Sequence, residues 1–233
     1  MIITIDGPAG AGKSTVAVLL AKALGFEYLN TGSMYRAIAW VGLQRNIDWR
    51  DSDAVAKLGE RMELRVEGAR TFWGTLDITD AVRTPEVTAV THYTADHPEL
   101  RRILAQFQRR CADGRNVVTE GRDQGTFVFP DAICKIYLTA TPEERTRRRI
   151  GEMIQRGELI PDQAEELFPE ILAKIVARDR GDESRTVAPL RMADDAVEVV
   201  TDGLTVEQVV HELVGIVRRK SYADAVKRGQ RPL

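Results

Sequence analysis

The sequence predicts an α/β fold built on a doubly wound, parallel sheet of five strands. Short apolar runs recur along the chain with helical stretches between them, which is the order that parallel strands require. A glycine-rich loop also lies directly between the first apolar run and the first helical stretch. The predicted strands cover residues 2–6, 26–29, 116–119, 133–138 and 197–200.

Helical patterns fill the chain between these strands. Threonine followed by acidic residues at 141–144 and 205–207 marks two helix starts, because threonine caps free N–H groups and acids favour the first turn. The predicted helices cover residues 14–24, 33–44, 99–112, 142–156, 162–177 and 205–220.

One segment, residues 62–89, interrupts the alternation of strands and helices. Two short β patterns, 63–66 and 71–73, flank the turn residues 67–69, which predicts a small β insertion. Such an insertion can carry contacts to a substrate. A surface hairpin without a function is the other interpretation.

The composition is typical of a soluble intracellular enzyme, and we expect it in the cytoplasm. The net charge of −2 argues against a protein that coats nucleic acid. No leader precedes the first strand, and no apolar run approaches the roughly 20 residues of a membrane span.

Cys111 and Cys134 lack C-x-x-C spacing, which favours free thiols over a disulfide. His92, His97 and His211 are not spaced as zinc ligands.

The most informative stretch is the loop at residues 7–14, which matches the pattern G-x4-G-K-[ST] between a predicted strand and a predicted helix. Glycines allow backbone N–H groups to surround phosphate oxygens, and the helix N-terminus adds a partial positive charge. We expect Lys13 to reach the outer phosphates of a nucleotide and the Ser14 hydroxyl to ligate Mg²⁺. The predicted nucleotide-binding residues are Gly7, Pro8, Ala9, Gly10, Ala11, Gly12, Lys13, Ser14 and Thr15.

Arginines form a second pattern, because many lie at the ends of predicted elements or in predicted loops. Guanidinium groups bind phosphates in a bidentate manner and neutralise charge on a transferring phosphoryl group. Residues 178–185 are polar and dense in both charges, which predicts a mobile lid and not a core helix. Residues 120–126 follow an apolar strand directly, where open α/β sheets bind ligands. The arginines are Arg36, Arg83, Arg101, Arg122, Arg147, Arg148, Arg149, Arg178, Arg180 and Arg185.

Four ordered motifs resemble the bacterial cytidylate kinases: residues 7–14, 30–36, 121–132 and 178–190. The resemblance extends from residue 2 to about residue 210 and implies the fold of the nucleoside monophosphate kinases, which belong to the P-loop NTPases. It implies one kinase unit over 1–233, and we expect this unit to be a monomer. The implied core covers 1–35, 113–150 and 186–220, the monophosphate-binding insertion about 36–112 and the lid about 151–185.

The resemblance also implies roles for individual side chains, with Asp123 helping to select the base. Its catalytic positions match Lys13, Arg122, Arg178 and Arg185. Its positions for the acceptor substrate match Thr31, Arg36, His92, Arg101, Arg122, Asp123, Asp182 and Arg185. Three positions depart from the family: Asn30 stands for an aspartate, Gln124 for an apolar residue, and His92 for a serine that touches the cytosine ring.

The implied activity is transfer of the γ-phosphoryl group of ATP to CMP or dCMP with Mg²⁺. The acceptor phosphate, with a second pKa of about 6, is already an anion, so no general base is required. A kinase for another small acceptor, such as UMP, TMP or shikimate, is the main alternative, since phosphate-binding groups are shared. A GTP-dependent switch is less favoured, because no N/T-K-x-D stretch is present.

Overall fold

A computed structural model describes residues 1–60 and 62–228. The predicted unit 1–233 and the predicted insertion 36–112 each include residues outside these ranges. The strands are β1 (Ile2–Asp6), β2 (Glu27–Asn30), β3 (Leu64–Glu67), β4 (Arg70–Trp73), β5 (Leu76–Asp77), β6 (Val117–Gly121), β7 (Cys134–Thr139) and β8 (Val197–Val200). The helices are α1 (Lys13–Leu24), α2 (Thr31–Gln44), α3 (Ser52–Glu60), α4 (Pro85–Ala95), α5 (Pro98–Ala112), α6 (Pro142–Gln155), α7 (Ala164–Glu183) and α8 (Val206–Arg228).

The central sheet has the order β2-β6-β1-β7-β8, and every neighbouring pair of its strands is parallel. The predicted five-stranded parallel sheet is therefore confirmed. Strand β1 lies in the middle and pairs with β6 in a register that sets Asp6 beside Gly121. The segments that follow β1 and β6 therefore begin next to each other at the same edge of the sheet.

Two apolar layers cover the sheet. On one side, Ile3 and Ile5 of β1 pack with Leu20 of α1 and Leu213 of α8. On the other side, the buried side chains of the sheet join those of helices α2 and α5 in one continuous cluster. This second cluster also includes side chains of strands β3 and β4 of the antiparallel sheet, so the inserted segment shares a core with the parallel sheet. Its members include Leu29, Met34, Ile38, Leu64, Leu100, Leu104 and Val117.

The inserted segment contains more regular structure than its sequence predicted. Strands β3 and β4 are present as expected, whereas strand β5 and helices α3 and α4 were not predicted. Helix α4 begins at Pro85 with Thr84 as its cap, since the Thr84 hydroxyl accepts a hydrogen bond from the Val87 N–H group.

The expectation that residues 178–185 do not form a helix is wrong for most of that segment. Helix α7 continues to Glu183, and only the last two residues of the segment lie beyond it. The physical reason is that the Asp179 and Asp182 side chains lie one helical turn apart and are buried against arginines of other elements. A charge-dense sequence can therefore form a helix with a buried face.

Candidate active site

The glycine loop has the backbone form that its sequence predicts. It connects β1 to α1, and Gly12, the residue before α1, has a φ of +83°. This left-handed conformation favours glycine. A Cβ atom at Gly7 would collide with the Leu138 carbonyl of β7, so only glycine fits where the loop leaves the sheet. The predicted nucleotide-binding residues therefore lie together, from Gly7 to the first turn of α1, where Thr15 is exposed.

Lys13 lies buried at the start of α1, and its Nζ donates a hydrogen bond to the Pro8 carbonyl at 2.6 Å. Burial, together with the nearby Arg122 guanidinium, lowers the pKa of Lys13 to about 7. Asp6, at the end of β1, accepts hydrogen bonds from the Gln124 and Gly125 N–H groups at 2.8 and 2.7 Å. Burial nevertheless raises the pKa of Asp6 to about 7. Both groups can therefore change protonation near neutral pH.

Ser14 and Glu120 place two oxygen groups beside the loop. The Ser14 hydroxyl donates to Glu120 Oε1 at 2.9 Å, and the Tyr28 hydroxyl donates to the same oxygen at 3.3 Å. A hydroxyl and a carboxylate are the hard oxygen ligands that suit Mg²⁺, so these residues fit the predicted ion. Over residues 1–60 and 62–228, no group of three His, Cys, Asp or Glu side chains is gathered as a metal site. Mg²⁺ typically takes one or two carboxylates and completes its shell with water and phosphate oxygens.

A cluster of arginines surrounds Asp182. Arg122, just beyond β6, donates from Nε to Asp182 Oδ2 at 2.7 Å, and Arg185 pairs with the other carboxylate oxygen. Burial alone would raise the pKa of Asp182, but the Arg122 and Arg185 charges outweigh it and lower the pKa. Arg178 is exposed and lies one helical turn before Asp182 on α7, where its charge also lowers the pKa of Asp182. Two of the three predicted catalytic arginines, Arg122 and Arg185, therefore bind one carboxylate, and Arg178 lies on the same helix nearby.

Arg101 and Asp123 form a second, deeper pair. Arg101 Nη2 lies 2.7 Å from Asp123 Oδ2, and both residues are less than 5% exposed, at 3% and 4%. The Arg101 guanidinium also donates to the Ala95 carbonyl at 2.7 Å and to the Ala188 carbonyl at 3.0 Å. This pair therefore joins the ends of β6 and α4 to the chain that follows α7.

Helix α4 carries His92 between two residues that contact arginines. Arg36 Nη1 donates to Thr88 Oγ1 at 2.7 Å, and Arg185 Nε donates to Asp96 at 2.7 Å. Thr88, His92 and Asp96 are spaced by four residues, so they lie along one side of the helix. The His92 side chain is exposed, and its ring centroid lies 4.0 Å from that of its neighbour Tyr93. His92 therefore lies on the same side of α4 as the contacts to the arginine cluster.

Thr31 has a role in the framework that the sequence did not indicate. It is buried, and its hydroxyl donates to the Glu120 carbonyl at 2.7 Å. This contact fixes the start of α2 against the end of β6.

The remaining arginines divide into surface and structural groups. Arg147 and Arg149 make ion pairs along the exposed side of α6, and Arg148 donates to the Thr201 carbonyl at 2.7 Å. Arg83 and Arg180 are exposed. Two functional candidates were missed by the sequence: Glu120, and Arg145, which contacts the glycine loop. An acid at the carboxyl end of a strand was an available signal for Glu120.

The central strand of the parallel sheet leads into a phosphate-binding loop, and arginines of other elements lie close to that loop. This combination defines the class of P-loop kinases. Within that class the chain belongs to the cytidylate kinase family, since the protein-family model described as cytidylate kinase matches its residues 3–219.

The chain is similar to several known proteins. A cytidylate kinase of Rhodopirellula baltica is 46% identical over 97% of this chain and 96% of the relative. A cytidylate kinase of Carboxydothermus hydrogenoformans is 42% identical over 95% of this chain and 99% of the relative. A bifunctional pantoate ligase/cytidylate kinase of Prochlorococcus marinus is 45% identical over 93% of this chain, and the match spans 43% of that longer relative. A solved gluconokinase structure from Sinorhizobium meliloti aligns with a TM-score of 0.45 at 16% identity, covering 97% of this chain and 95% of that one.

Among the described helices, none has a stretch long and apolar enough to cross a bilayer.

Proposed function

We propose that this protein transfers the γ-phosphoryl group of ATP to CMP or dCMP and releases ADP with CDP or dCDP. Membership of the cytidylate kinase family favours these acceptors over UMP, TMP or shikimate and over a GTP-dependent switch. The observation that carries the proposal is the pairing of Arg122 and Arg185 with Asp182, one helical turn after Arg178, next to the loop that holds Lys13.

The donor site is assigned to residues 7–15. Backbone N–H groups of the loop and the N-terminus of α1 are suited to the phosphates of ATP. Lys13 Nζ can exchange the Pro8 carbonyl for a phosphate oxygen, because a charged acceptor makes the stronger hydrogen bond. Binding of that anion favours the protonated lysine and opposes the effect of burial on its pKa.

Ser14 and Glu120 are the residues that would hold Mg²⁺. When bound, the ion supplies charge neutralisation at the outer phosphates of ATP. The Tyr28 hydroxyl keeps one Glu120 oxygen oriented toward Ser14.

The acceptor site is assigned to the arginines around Asp182 and to the side of α4 that contacts them. Arg36, Arg122 and Arg185 supply positive charge for the acceptor phosphate, and Arg178 adds charge where the phosphoryl group passes. Asp123, held by Arg101, is assigned the hydrogen bond from the amino group of cytosine. His92 is assigned to the same pocket, and Asp182 to the ribose. Thr31 supports this site by fixing α2.

Three parts of the chain carry these roles in the proposal. The core consists of 1–35, 113–150 and 186–220, the insertion of about 36–112 binds the acceptor, and about 151–185 form the lid. Both boundaries of the lid lie at or near helix ends, with α6 ending at Gln155 and α7 at Glu183. The lid would move as a helical unit around its small apolar cluster of Ile150, Leu159 and Ile171. We further propose a cytoplasmic monomer that acts on free nucleotides and not on nucleic acid.

A coupled assay of ADP release tests the proposal directly. The purified protein is supplied with ATP, Mg²⁺ and one acceptor at a time: CMP, dCMP, UMP, TMP or shikimate. The proposal expects kcat/KM for CMP or dCMP to exceed the value for each other acceptor by at least roughly tenfold. Equal rates with all acceptors, or ADP release that needs no acceptor, would reject it.

A further inference from the structure

Arg145 and Asp179 form a buried ion pair between α6 and α7. Arg145 Nη1 lies 2.6 Å from Asp179 Oδ2, and Arg145 is 3% exposed. The other Asp179 oxygen is buried and has no hydrogen-bond partner within the described part of the chain, so this carboxylate depends on Arg145. A buried charge left without its partner is costly, which ties the position of α7 to that of Arg145.

The same guanidinium contacts the glycine loop. Arg145 Nη1 donates to the Ala9 carbonyl at 2.9 Å, and its Nε donates to the Ala140 carbonyl at 3.1 Å. In a trans peptide the C=O and N–H groups point in opposite directions. The contact that fixes the Ala9 carbonyl therefore also fixes the direction of the Gly10 N–H group. A Cβ at Gly10 would lie 3.3 Å from the Arg145 Cβ, so the loop packs closely on this side chain.

Helix α7 thus has two anchoring carboxylates, one helical turn apart. Asp179 binds Arg145, which holds the loop, and Asp182 binds Arg122 and Arg185, which line the arginine cluster. The spacing of three residues places both carboxylates on one face of the helix. Movement of α7 would therefore act on the loop through Asp179 and on the arginines through Asp182.

We propose that Arg145 and Asp179 are positioning residues that couple the helix α7 to the nucleotide-binding loop and hold the loop ready for the phosphates of ATP. This inference rests on the proposed function, because it takes the loop as the ATP site and α7 as part of the lid. Arg145 acts through the Ala9–Gly10 peptide and touches no substrate. Its effect belongs to the donor and not to the acceptor.

Asp179→Asn tests the coupling. Calorimetric titration of the protein with a non-hydrolysable ATP analogue and Mg²⁺, without acceptor, gives the donor affinity, and titration with CMP gives the acceptor affinity. We expect the analogue to bind about tenfold more weakly and CMP to bind within about twofold of the wild type. Asp182→Asn should show the reverse: a larger loss of affinity for CMP than for the ATP analogue. Glu152→Gln removes an exposed ion pair of α6 with Arg149 and should change neither affinity.

The double variant Arg145→Met with Asp179→Leu separates positioning from stability. Apolar replacement of both charges often preserves stability, whereas removal of one charge does not. We expect the thermal midpoint to return to near that of the wild type while the affinity for the ATP analogue stays low, because the Ala9 carbonyl has lost its donor.

Three results would overturn the inference: unchanged ATP affinity in a folded Asp179→Asn protein, an equal loss for ATP and CMP, or recovery of ATP affinity in the double variant. These titrations need no turnover. Failure of the proposed acceptor preference in the ADP-release assay would therefore remain distinguishable from failure of the coupling.

Discussion

The hydroxyl of Ser14 donates a hydrogen bond of 2.9 Å to the carboxylate of Glu120, although the two residues are 106 positions apart in the chain. Parallel pairing of β1 with β6 produces this contact, since it brings Glu120, near the carboxyl end of β6, to the same edge of the sheet as the loop that follows β1. The candidate ion site is therefore a consequence of strand order.

Removal of the Glu120 charge should weaken the response to Mg²⁺. In Glu120→Gln, an amide oxygen can still accept from Ser14, but the carboxylate charge is lost. We expect the Mg²⁺ concentration for half-maximal activity to rise by roughly tenfold. Glu27→Gln, which removes an exposed carboxylate paired with Arg115, serves as the charge-matched control and should change this concentration little. Identical Mg²⁺ curves for Glu120→Gln and the wild type would exclude Glu120 from the ion site.

Lys13→Ala should reduce kcat by roughly 10² or more, because it removes a donor aimed at the charge that develops on the transferring group. Lys22→Ala, in the last turn of the same helix, is the matched control and should retain normal turnover. Circular dichroism checks that both variants fold. Turnover close to that of the wild type in folded Lys13→Ala would refute the assignment.

Stability should depend on pH through Lys13. The pKa of Lys13 is about 7 in the folded protein and the ordinary pKa of a lysine is 10.5, so between these values the unfolded state binds more protons. The free energy of unfolding gained from this group therefore rises with pH across that window. Lys13→Met should reduce the slope of the free energy of unfolding against pH in this window. The reduction should correspond to at most about one bound proton. Parallel pH profiles of the two proteins from urea unfolding would contradict a lowered pKa.

The motif of the glycine loop was predictable, because its spacing is strict and all its residues are consecutive. Glu120 and Arg145 were missed for the opposite reason: their partners Ser14 and Ala9 lie 106 and 136 positions away. Only the sheet order and the packing of α6 bring them together. Helix α7 was predicted too short, because a charged stretch has no apolar period, and its buried face is made of Asp179 and Asp182.

Hydrogen exchange should detect closure of the lid. Residues 178–185 should become more protected when a bisubstrate analogue is bound, because its phosphates would bind Arg178 and Arg185 of this segment and hold it closed. Mass spectrometry of exchange with and without the analogue gives the comparison. Equal protection in both states would describe a static segment and contradict closure of the lid.

His92→Ser should change base discrimination more than phosphate binding. The exposed imidazole offers one donor and one acceptor when neutral, whereas a serine hydroxyl is smaller and rotates to either role. We expect the ratio of kcat/KM for CMP over UMP to shift by roughly threefold or more. His211→Ser, exposed on α8, is the control. An unchanged ratio would assign base selection to Asp123 and its neighbours alone.

The central claim, γ-phosphoryl transfer to a cytidine monophosphate, is tested most directly by following the phosphorus. ATP labelled in its γ-phosphoryl group is incubated with the protein, Mg²⁺ and an equimolar mixture of CMP and UMP, and the nucleotides are separated. The account predicts that the label appears in the β-phosphoryl group of CDP, well ahead of UDP, and that Lys13→Ala abolishes most of this transfer. Release of the label as inorganic phosphate with CMP unchanged, or equal labelling of UDP and CDP, would contradict it.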